Sequence, residues 1–277
     1  MSQKTISAAN LSFCNDAPFV LLAGINVLES KELAFQVCEH LVNITAKHGI
    51  PYVFKASFDK ANRSSIKSFR GPGMEEGLKL LSEIKAKFNV PVITDIHEPH
   101  QAAPVAEVAD ILQIPAFLCR QTELVKAASE TGKVINVKKM QMMAPGDVTN
   151  IFKKFQEFGN DNLMICERGT SFGYNNLVVD PLAFPEMRRT GYPIIFDVTH
   201  SLQRPGGLGT ATAVRGEYAE KLMLAGMSQS IAGLFLETHP DPSKAKCDGP
   251  CATPLAEAES MILRAKRMDE LVKGEGF

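Results

Sequence analysis

Cations and hydroxyl groups are concentrated in one short segment of the chain, FKASFDKANRSSIKSFRGPG, at residues 54–73. The segment begins as an apolar run typical of a buried strand and then becomes polar. Its candidate ligand-binding residues are Lys55, Lys60, Asn62, Arg63 and Ser64. Ammonium, guanidinium and hydroxyl donors suit the oxygens of a phosphate group. We interpret the segment as a phosphate-binding loop; considered alone, it could also be a solvated basic loop.

Polar or ionisable residues also end the other apolar runs of the chain. Besides Lys55, they are Asn26, Asp95, His97, Gln113, Lys138, Glu167, Arg168, Asp197, His200, Glu237 and His239. Charged residues are rarely placed on successive apolar strands unless they pair with one another or bind a ligand. Lys138 and Arg168 therefore suggest a second anionic group in the ligand. Asp95, Glu237, Asp248 and His200 can exchange protons or bind a divalent ion, or they form a structural ion-pair cluster.

The apolar runs that carry these residues predict the strands of an α/β fold. The predicted strands are at 19–24, 51–56, 91–96, 111–115, 134–139, 162–167, 193–198 and 232–237. Amphipathic segments predict helices at 30–49, 74–88, 101–109, 121–131, 147–158, 180–190, 214–226 and 254–273. Eight strands, each followed by a helix, are typical of a (β/α)8 TIM barrel. The barrel is predicted as a single domain over residues 1–277. A doubly wound open sheet is the alternative.

A barrel would bring the polar strand ends together. The C-terminal ends of its strands meet at one rim, and that rim holds the active site in enzymes of this fold. The glycine-rich segment 203–218 follows the seventh strand and predicts a mobile lid. Before the first strand, TISAANLSFCNDAPFV predicts a β-hairpin that caps the bottom of the barrel, with Asn15 and Asp16 near its turn.

The overall charge argues against two classes of partner. The chain has 30 basic and 31 acidic residues and a formal net charge of −1, so no overall field draws it to nucleic acid or to an anionic membrane. It begins without an apolar signal-peptide core, and its 6 cysteines are scattered, which favours a cytoplasmic protein with reduced thiols. Cys247 and Cys251 lie close together, but without nearby thiols or histidines their spacing argues against a zinc site.

Several motifs together resemble the family of 3-deoxy-D-manno-octulosonate 8-phosphate synthases. They are FKASFDKANRSSIKSFRGPG, TDIHEPHQ, LQIPAFLCRQT, INVKK, CERGTSFGYNNLVVD, IFDVTHSLQ and HPDPSKAKCDGP. The resemblance extends from Phe19 to about Leu255. It implies a (β/α)8 barrel, usually a homotetramer, that condenses phosphoenolpyruvate with D-arabinose 5-phosphate, releases phosphate and supplies lipopolysaccharide inner-core biosynthesis. The chain departs from the family pattern at Met140, where a proline is usual, and at Cys251 and Thr253.

The resemblance also implies roles for individual residues. Phosphoenolpyruvate would be bound by Lys138 and Arg168 at its phosphate, by the backbone N–H groups of Ala116 and Phe117, and by Lys55 and Lys60 near its carboxylate. Arabinose 5-phosphate would be held by Asn62, Arg63 and Ser64, with Arg120 reaching its phosphate from a neighbouring subunit. Gln113 is a further candidate for substrate binding. The candidate catalytic residues are Asn26, Lys60, Asp95, His97, His200, Glu237 and Asp248.

The family has metal-dependent and metal-independent members, and Asn26 bears on that division. Metal-dependent members resemble GPC after the first strand, and their cysteine binds the ion with a histidine, a glutamate and an aspartate. His200, Glu237 and Asp248 match the last three positions, whereas Asn26 occupies that of the cysteine. A neutral amide is a poor replacement for a thiolate, which supplies both a negative charge and a soft donor atom. The metal-independent class is therefore predicted, with no metal and no other cofactor.

Other functions remain open at this point. A related synthase could use phosphoenolpyruvate with another aldose phosphate as acceptor. A Schiff-base aldolase could be built on Lys55 or Lys138, although these lysines lie among other cations needed for phosphate. A non-catalytic sugar-phosphate sensor would use the same anion-binding groups, with the histidine and carboxylates as bystanders.

Overall fold

Eight parallel strands form the centre of the molecule. A computed structural model describes residues 2–205 and 213–274 of the chain. The strands are β1 Val20–Val27, β2 Tyr52–Ser57, β3 Val92–Asp95, β4 Ile111–Ile114, β5 Val134–Lys138, β6 Leu163–Glu167, β7 Ile194–Asp197 and β8 Gly233–His239. Each coincides with a strand predicted from its β-branched, apolar run.

The strands close into a barrel. They pair in chain order from β1 to β8, and β8 pairs with both β7 and β1, so the sheet has no free edge there. In these last pairings Phe235 lies opposite Asp197 and Glu237 lies opposite Gly24. Closure confirms the predicted (β/α)8 barrel and excludes the open doubly wound sheet.

Helices surround the barrel. They are α1 Lys31–His48, α2 Met74–Phe88, α3 Ala102–Val108, α4 Thr122–Glu130, α5 Val148–Glu157, α6 Ala183–Arg188, α7 Ala219–Met227 and α8 Leu255–Gly274. In α1 the predicted ends are confirmed, because the Ser30 side chain accepts a hydrogen bond from the Leu33 N–H at 3.2 Å and Gly49 is left-handed at φ 62°. The segment predicted as helix 214–226 begins later, since Gly216–Tyr218 first forms a 3-10 turn.

Two apolar layers hold these elements together. Outward-facing strand residues pack against the helices in the larger core. The interior of the barrel is filled by a second group, which includes Val53, Ile93, Ile111, Val134, Ile195 and Phe235. Because strand side chains alternate between the two faces, the residue two positions after each of these also points inward.

The N-terminal hairpin closes the bottom of the barrel, as predicted. Its strands Ile6–Ala8 and Leu11–Phe13 place Ile6, Ala8 and Phe13 in the interior core. The predicted position of the turn was wrong, however, because the chain turns immediately after Ala8, where Ala9 has φ 50°.

Asn15 has a different role from the predicted one. Its amide donates to the Tyr192 carbonyl at 2.9 Å and accepts from the Ile194 N–H at 2.8 Å. An asparagine side chain can replace a backbone partner in this way, and here it joins the hairpin to the start of β7.

Short elements lie on the opposite rim. Thr170–Ser171 pairs with Leu177–Val178, Gln203–Arg204 pairs with Ala213–Val214, and Thr253–Pro254 extends the sheet next to β8. A one-turn helix, Val198–Ser201, follows β7. Residues 206–212 of the predicted lid lie outside the described residues, so that prediction stays a prediction.

Among the helices of the described ranges, none is long and apolar enough to cross a membrane.

Candidate active site

A layer of polar side chains lies directly above the apolar interior. Two positions after Val53, Ile93, Ile111, Val134, Ile195 and Phe235 come Lys55, Asp95, Gln113, Asn136, Asp197 and Glu237. All of these are buried. Because side chains alternate along each strand, these six residues all point into the barrel at the same level. We call this layer the floor of the site.

Lys55 and Glu237 form the centre of this floor. Their charged atoms, Nζ and Oε1, are 2.6 Å apart, and each side chain is 1% exposed. The Lys55 ammonium also donates to the Asn26 carbonyl at 3.3 Å. Asn26 Nδ2 in turn donates to Glu237 Oε2 at 2.5 Å and to Asp248 Oδ2 at 3.4 Å. Three strands and the loop after β8 are thereby joined through one carboxylate.

Gly24 permits the close approach of β1 to β2 at this point. The register between the two strands shifts between Gly24 and Val27. A Cβ atom at Gly24 would lie 2.0 Å from the Lys55 carbonyl oxygen, so no larger residue fits without moving the backbone. The irregularity places Asn26 beside the Lys55 ammonium.

A second group connects β5, β7 and β8. Asp197 accepts hydrogen bonds from Lys138 Nζ and from the His200 N–H, and its Oδ2 is 2.6 Å from His200 Nδ1. The other ring nitrogen of His200, Nε2, is 3.5 Å from Glu237 Oε2. The ammonium of Lys138 also lies 3.6 Å from the centroid of the Phe235 ring.

A third group is organised by Asp95. Its carboxylate accepts hydrogen bonds from Ser57 Oγ and Gln113 Nε2 and lies 3.6 Å from Lys60 Nζ. Gln113 also accepts from Asn136 Nδ2 at 2.9 Å. The predicted alternative of an ion-pair cluster is thus part of the site, because Lys55, Lys60 and Lys138 each face a carboxylate.

Neighbouring charges keep the buried carboxylates ionised. Burial alone raises the pKa of Glu237, but the charges of His200 and Lys55 outweigh it and lower the pKa to about 2. The pKa of Asp95 is also lowered, since Lys60 and Lys55 overcome the effect of burial. His200 and Lys138 do the same for Asp197, whose pKa is lowered. These carboxylates therefore act as bases or fixed charges rather than as acids at neutral pH.

The pKa values of the basic groups shift in two directions. Burial lowers the pKa of Lys55, an effect that the charge of Glu237 offsets in part. For Lys60, burial is outweighed by the charges of Asp95 and Glu237, which raise its pKa. Burial also lowers the pKa of His97, against the opposing charge of Asp95.

Above the floor lies a cavity of about 410 Å³. The predicted site residues that line it are Lys55, Lys60, Asn62, Arg63, Ser64, Asp95, His97, Gln113, Ala116, Phe117, Lys138, Arg168, His200 and Asp248. Asn26 and Glu237 lie beneath, in contact with Lys55 and Asp248. The predicted convergence on one mouth is confirmed for these residues. Arg120 is exposed and is not among the lining residues.

Two guanidinium groups in the cavity have no carboxylate partner within the described ranges. Arg168 Nη2 donates to Gln203 Oε1 at 3.0 Å, and its buried Nη1 has no hydrogen-bond partner there. Arg63 Nη1 contacts the Cys247 sulfur. Unlike the lysines of the floor, both arginines remain available for an anion.

Several residues of the site were missed by sequence reasoning. Gln141, Gln203, Lys246 and Cys247 line the cavity, and Ser57 and Asn136 belong to the floor. The period-2 pattern could have found Ser57, two positions after Lys55, and Asn136, two before Lys138. The family motif IFDVTHSLQ ends at Gln203, and HPDPSKAKCDGP contains Lys246 and Cys247, so the motifs could have drawn attention to all three. Conversely, Glu167 and His239 end strands but face away from the cavity, toward Lys139 and Glu29.

The sequence matches a known family over almost its whole length. A model described as the DAHP synthetase I family matches residues 3–274. The chain belongs to this family. Among its relatives named 2-dehydro-3-deoxyphosphooctonate aldolase, the protein of Psychromonas ingrahamii is 61% identical over 273 residues, covering 99% of this chain and 97% of that protein. The Shewanella frigidimarina protein is 60% identical over 278 residues, covering 100% and 98%.

The lowered pKa of Glu237 makes stability depend on pH. A carboxylate with a depressed pKa stabilises the fold above its ordinary value of 4.5, and this contribution disappears as pH falls toward about 2. Glu237→Gln should therefore lower the free energy of unfolding by about 3–5 kcal/mol near neutral pH, because Lys55 loses its charged partner. Urea unfolding between about pH 7 and about pH 3 should show this difference shrinking below the ordinary pKa.

The control for this experiment is Glu257→Gln on α8, where the glutamate is exposed. Its difference from wild type should stay small at every pH. A Glu237→Gln difference that does not change with pH would contradict the assigned charge state.

Proposed function

We propose that this chain condenses phosphoenolpyruvate with D-arabinose 5-phosphate and water to give 3-deoxy-D-manno-octulosonate 8-phosphate and phosphate, in lipopolysaccharide inner-core biosynthesis. The observation that carries the proposal is identity near 60% over almost the full chain to proteins named 2-dehydro-3-deoxyphosphooctonate aldolase. The enzyme is an aldol-type synthase that forms a C–C bond. Its cavity offers separate anion-binding groups, which suits two phosphorylated substrates.

The two substrates are assigned to opposite parts of the cavity. Lys138, at the end of β5, and Arg168, just after β6, would bind the phosphate of phosphoenolpyruvate, together with the backbone of Ala116 and Phe117. The Nη1 of Arg168 supports this assignment, because it has no hydrogen-bond partner among the residues that the structure describes. Lys55 and Lys60 would face the carboxylate, and Gln113 would support that end of the substrate.

Arabinose 5-phosphate would occupy the side formed by the loop after β2. Asn62 and Ser64 are exposed at the cavity wall, where an amide and a hydroxyl can reach sugar hydroxyls. Arg63 has no carboxylate partner in the described part of the chain and would contact the same substrate. The sugar aldehyde would then lie above Lys60 and Asp95.

In the proposed reaction, C3 of phosphoenolpyruvate attacks the aldehyde carbon while water adds to C2. The aldehyde oxygen gains a proton from Lys60 or from water held by Asp95 and His97. His200, Glu237 and Asp248 orient the attacking water and accept its proton, and Asn26 fixes its position. In the resulting phosphohemiketal the C2 hydroxyl loses its proton, C2=O forms, and the C2–O bond to the phosphate breaks, so that phosphate leaves and takes up the proton. Fixed charges in a water-poor site stabilise both developing charges.

The purified enzyme tests this proposal directly. Phosphate release from phosphoenolpyruvate should be at least about 100-fold faster with arabinose 5-phosphate than with erythrose 4-phosphate, because a site built for particular hydroxyls leaves polar groups unpaired with the wrong acceptor. Release would be followed by a colorimetric phosphate assay, with phosphoenolpyruvate alone as the control. Preference for another aldose phosphate would identify the alternative synthase, and no release with any acceptor would favour a sugar-phosphate sensor.

We also propose that the reaction needs no metal ion. Glu237 and Asp248 both contact Asn26, and His200 Nε2 lies 3.5 Å from Glu237 Oε2. The Asn26 amide, however, donates to both carboxylates, and Lys55 occupies the other oxygen of Glu237. An N–H donor directed at two carboxylates takes the place of a cation, so this donor set does not fit a bound ion.

Chelation tests the metal-free reaction. Activity should change by less than about twofold in EDTA, whereas Asn26→Cys should create a response to Mn²⁺ or Zn²⁺ because a thiolate replaces the amide donor. Steady-state rates with and without metal, together with metal content by mass spectrometry, would measure both effects. Asn62→Cys is the matched control on the cavity wall. Loss of wild-type activity in EDTA that Mn²⁺ restores would refute the proposal.

The active oligomer is proposed to be a homotetramer in which Arg120 completes the site of a neighbouring subunit. Arg120 is exposed on the rim that carries Ala116 and Phe117, and it does not line the cavity of its own chain. Phe117 is itself 59% exposed. A charged side chain beside an exposed aromatic suits an interface between copies.

The single-domain organisation of residues 1–277 and the cytoplasmic location stay predictions. Cell fractionation would test the location.

Subunit mixing tests the shared site. Arg120→Ala and Lys60→Ala proteins should each be nearly inactive, but random mixing should restore about one quarter of wild-type activity, because one site type then has both residues. Lys60→Ala mixed with Arg63→Ala is the control and should restore none, since both residues lie in the same cavity. Activity after denaturation and joint refolding would be measured. No recovery in the first mixture would count against a shared site.

A further inference from the structure

A second buried ion pair lies just outside the cavity, between Lys139 at the end of β5 and Glu167 at the end of β6. Lys139 is 0% exposed and Glu167 is 1% exposed, and their charged atoms, Nζ and Oε2, are 3.5 Å apart. Neither residue lines the cavity. The proposed reaction therefore gives no chemical role to a pair whose burial is costly.

The pair is directly adjacent in sequence to the two cations assigned to the phosphate of phosphoenolpyruvate. Lys139 follows Lys138, and Glu167 precedes Arg168. Because side chains alternate along a strand, Lys138 and Arg168 point into the cavity while their neighbours point outward. The Lys139 N–H also donates to the Cys166 carbonyl at 2.9 Å, which joins the two strand ends through the backbone.

Both members of the pair also hold the backbone that follows them. Glu167 Oε1 accepts from the Gly169 N–H at 2.6 Å, and Gly169 has φ 89°. The chain therefore turns immediately after Arg168. The turn is fixed by the carboxylate and requires a conformation that favours glycine.

The Lys139 ammonium holds the loop that follows β5. Its ammonium donates to the carbonyls of Met140 at 3.4 Å and Met143 at 3.3 Å, and to Thr170 Oγ1 at 3.1 Å. The first two bonds hold the loop that carries Gln141 into the cavity. The third crosses to the segment after β6. One ammonium thus links the loops that follow both strands.

We propose that Lys139 and Glu167 are positioning residues that set the spacing of Lys138 and Arg168, and so the affinity of the site for the phosphate of phosphoenolpyruvate. The inference rests on the proposed function. Two cations bind one phosphate well only when their separation matches its oxygens, and small misplacements of binding groups are costly. A rigid link outside the cavity holds that separation without occupying the space of the substrate.

Lys139→Met tests the inference because it keeps most of the length of the side chain and removes its charge and hydrogen bonds. The KM for phosphoenolpyruvate should rise about tenfold or more, while the KM for arabinose 5-phosphate should change less than about twofold. Glu167→Gln, which retains an acceptor for the Gly169 N–H, should cause a smaller shift in the same direction. A variant that merely unfolds in part would lower kcat and leave both KM values unchanged.

The matched control is Lys273→Met, at the opposite end of the barrel. Lys273 also forms an ion pair, with its side chain 10% exposed and its Nζ 2.6 Å from Asp269 Oδ1. It also donates to two carbonyls, those of Ala17 and Ile231. This variant should lose stability without a change in either KM. Equal KM values for phosphoenolpyruvate in Lys139→Met, Glu167→Gln and wild type would overturn the inference.

Direct binding of inorganic phosphate separates this inference from the proposed function. If the wild type releases no phosphate from the two substrates, the proposed function fails, but calorimetry can still compare phosphate affinity in the wild type and the variants. A Kd that rises about tenfold in Lys139→Met would support the positioning role even then. An unchanged Kd would overturn it.

Discussion

The architecture of the site depends on keeping charges in the interior of a closed barrel. Lys55 and Glu237 are almost completely buried, and each is tolerable there only because the other lies 2.6 Å away. The two residues belong to β2 and β8, on either side of β1. Their contact requires that the strands close, so the ion pair and the closed barrel depend on each other.

The same requirement extends outward from this pair. Glu237 faces Asn26 and His200, His200 faces Asp197, and Asp197 pairs with Lys138. Each buried charge is balanced by the next, so the floor of the cavity is rigid and nearly neutral. The guanidinium groups of Arg63 and Arg168 lie above it without carboxylate partners in the described ranges. In the proposed function the floor holds the candidate catalytic groups and the lysines assigned to phosphoenolpyruvate, and the two arginines add positive charge that no carboxylate of the described ranges balances.

Buried charge is also used outside the cavity, in the pair formed by Lys139 and Glu167. Inward residues at the ends of β5 and β6 contact the substrate space, and their outward neighbours hold the loops. Because successive side chains point to opposite faces of a strand, one residue at each strand end faces the cavity and its neighbour holds a loop outside it. Rigid support of this kind is what binding groups need to keep their separation.

The sequence by itself determined the elements of the barrel, because these depend on local periodicity. Val53 and Lys55, or Ile195 and Asp197, report strand and face over a few residues, and Ser30 and Gly49 mark the ends of α1. The family motifs also identified most of the cavity lining. Only tertiary structure decided the partners. Lys55 and Glu237 are 182 positions apart, and Arg168 and Gln203 are 35 apart, so no local pattern reports either contact. Asn15 and Asp16 do lie in a turn, in which the Ala17 N–H donates to the Cys14 carbonyl at 3.2 Å, but this turn follows the hairpin and does not form it. The contact of the Asn15 amide with two backbone groups near the start of β7 was decided by the tertiary structure.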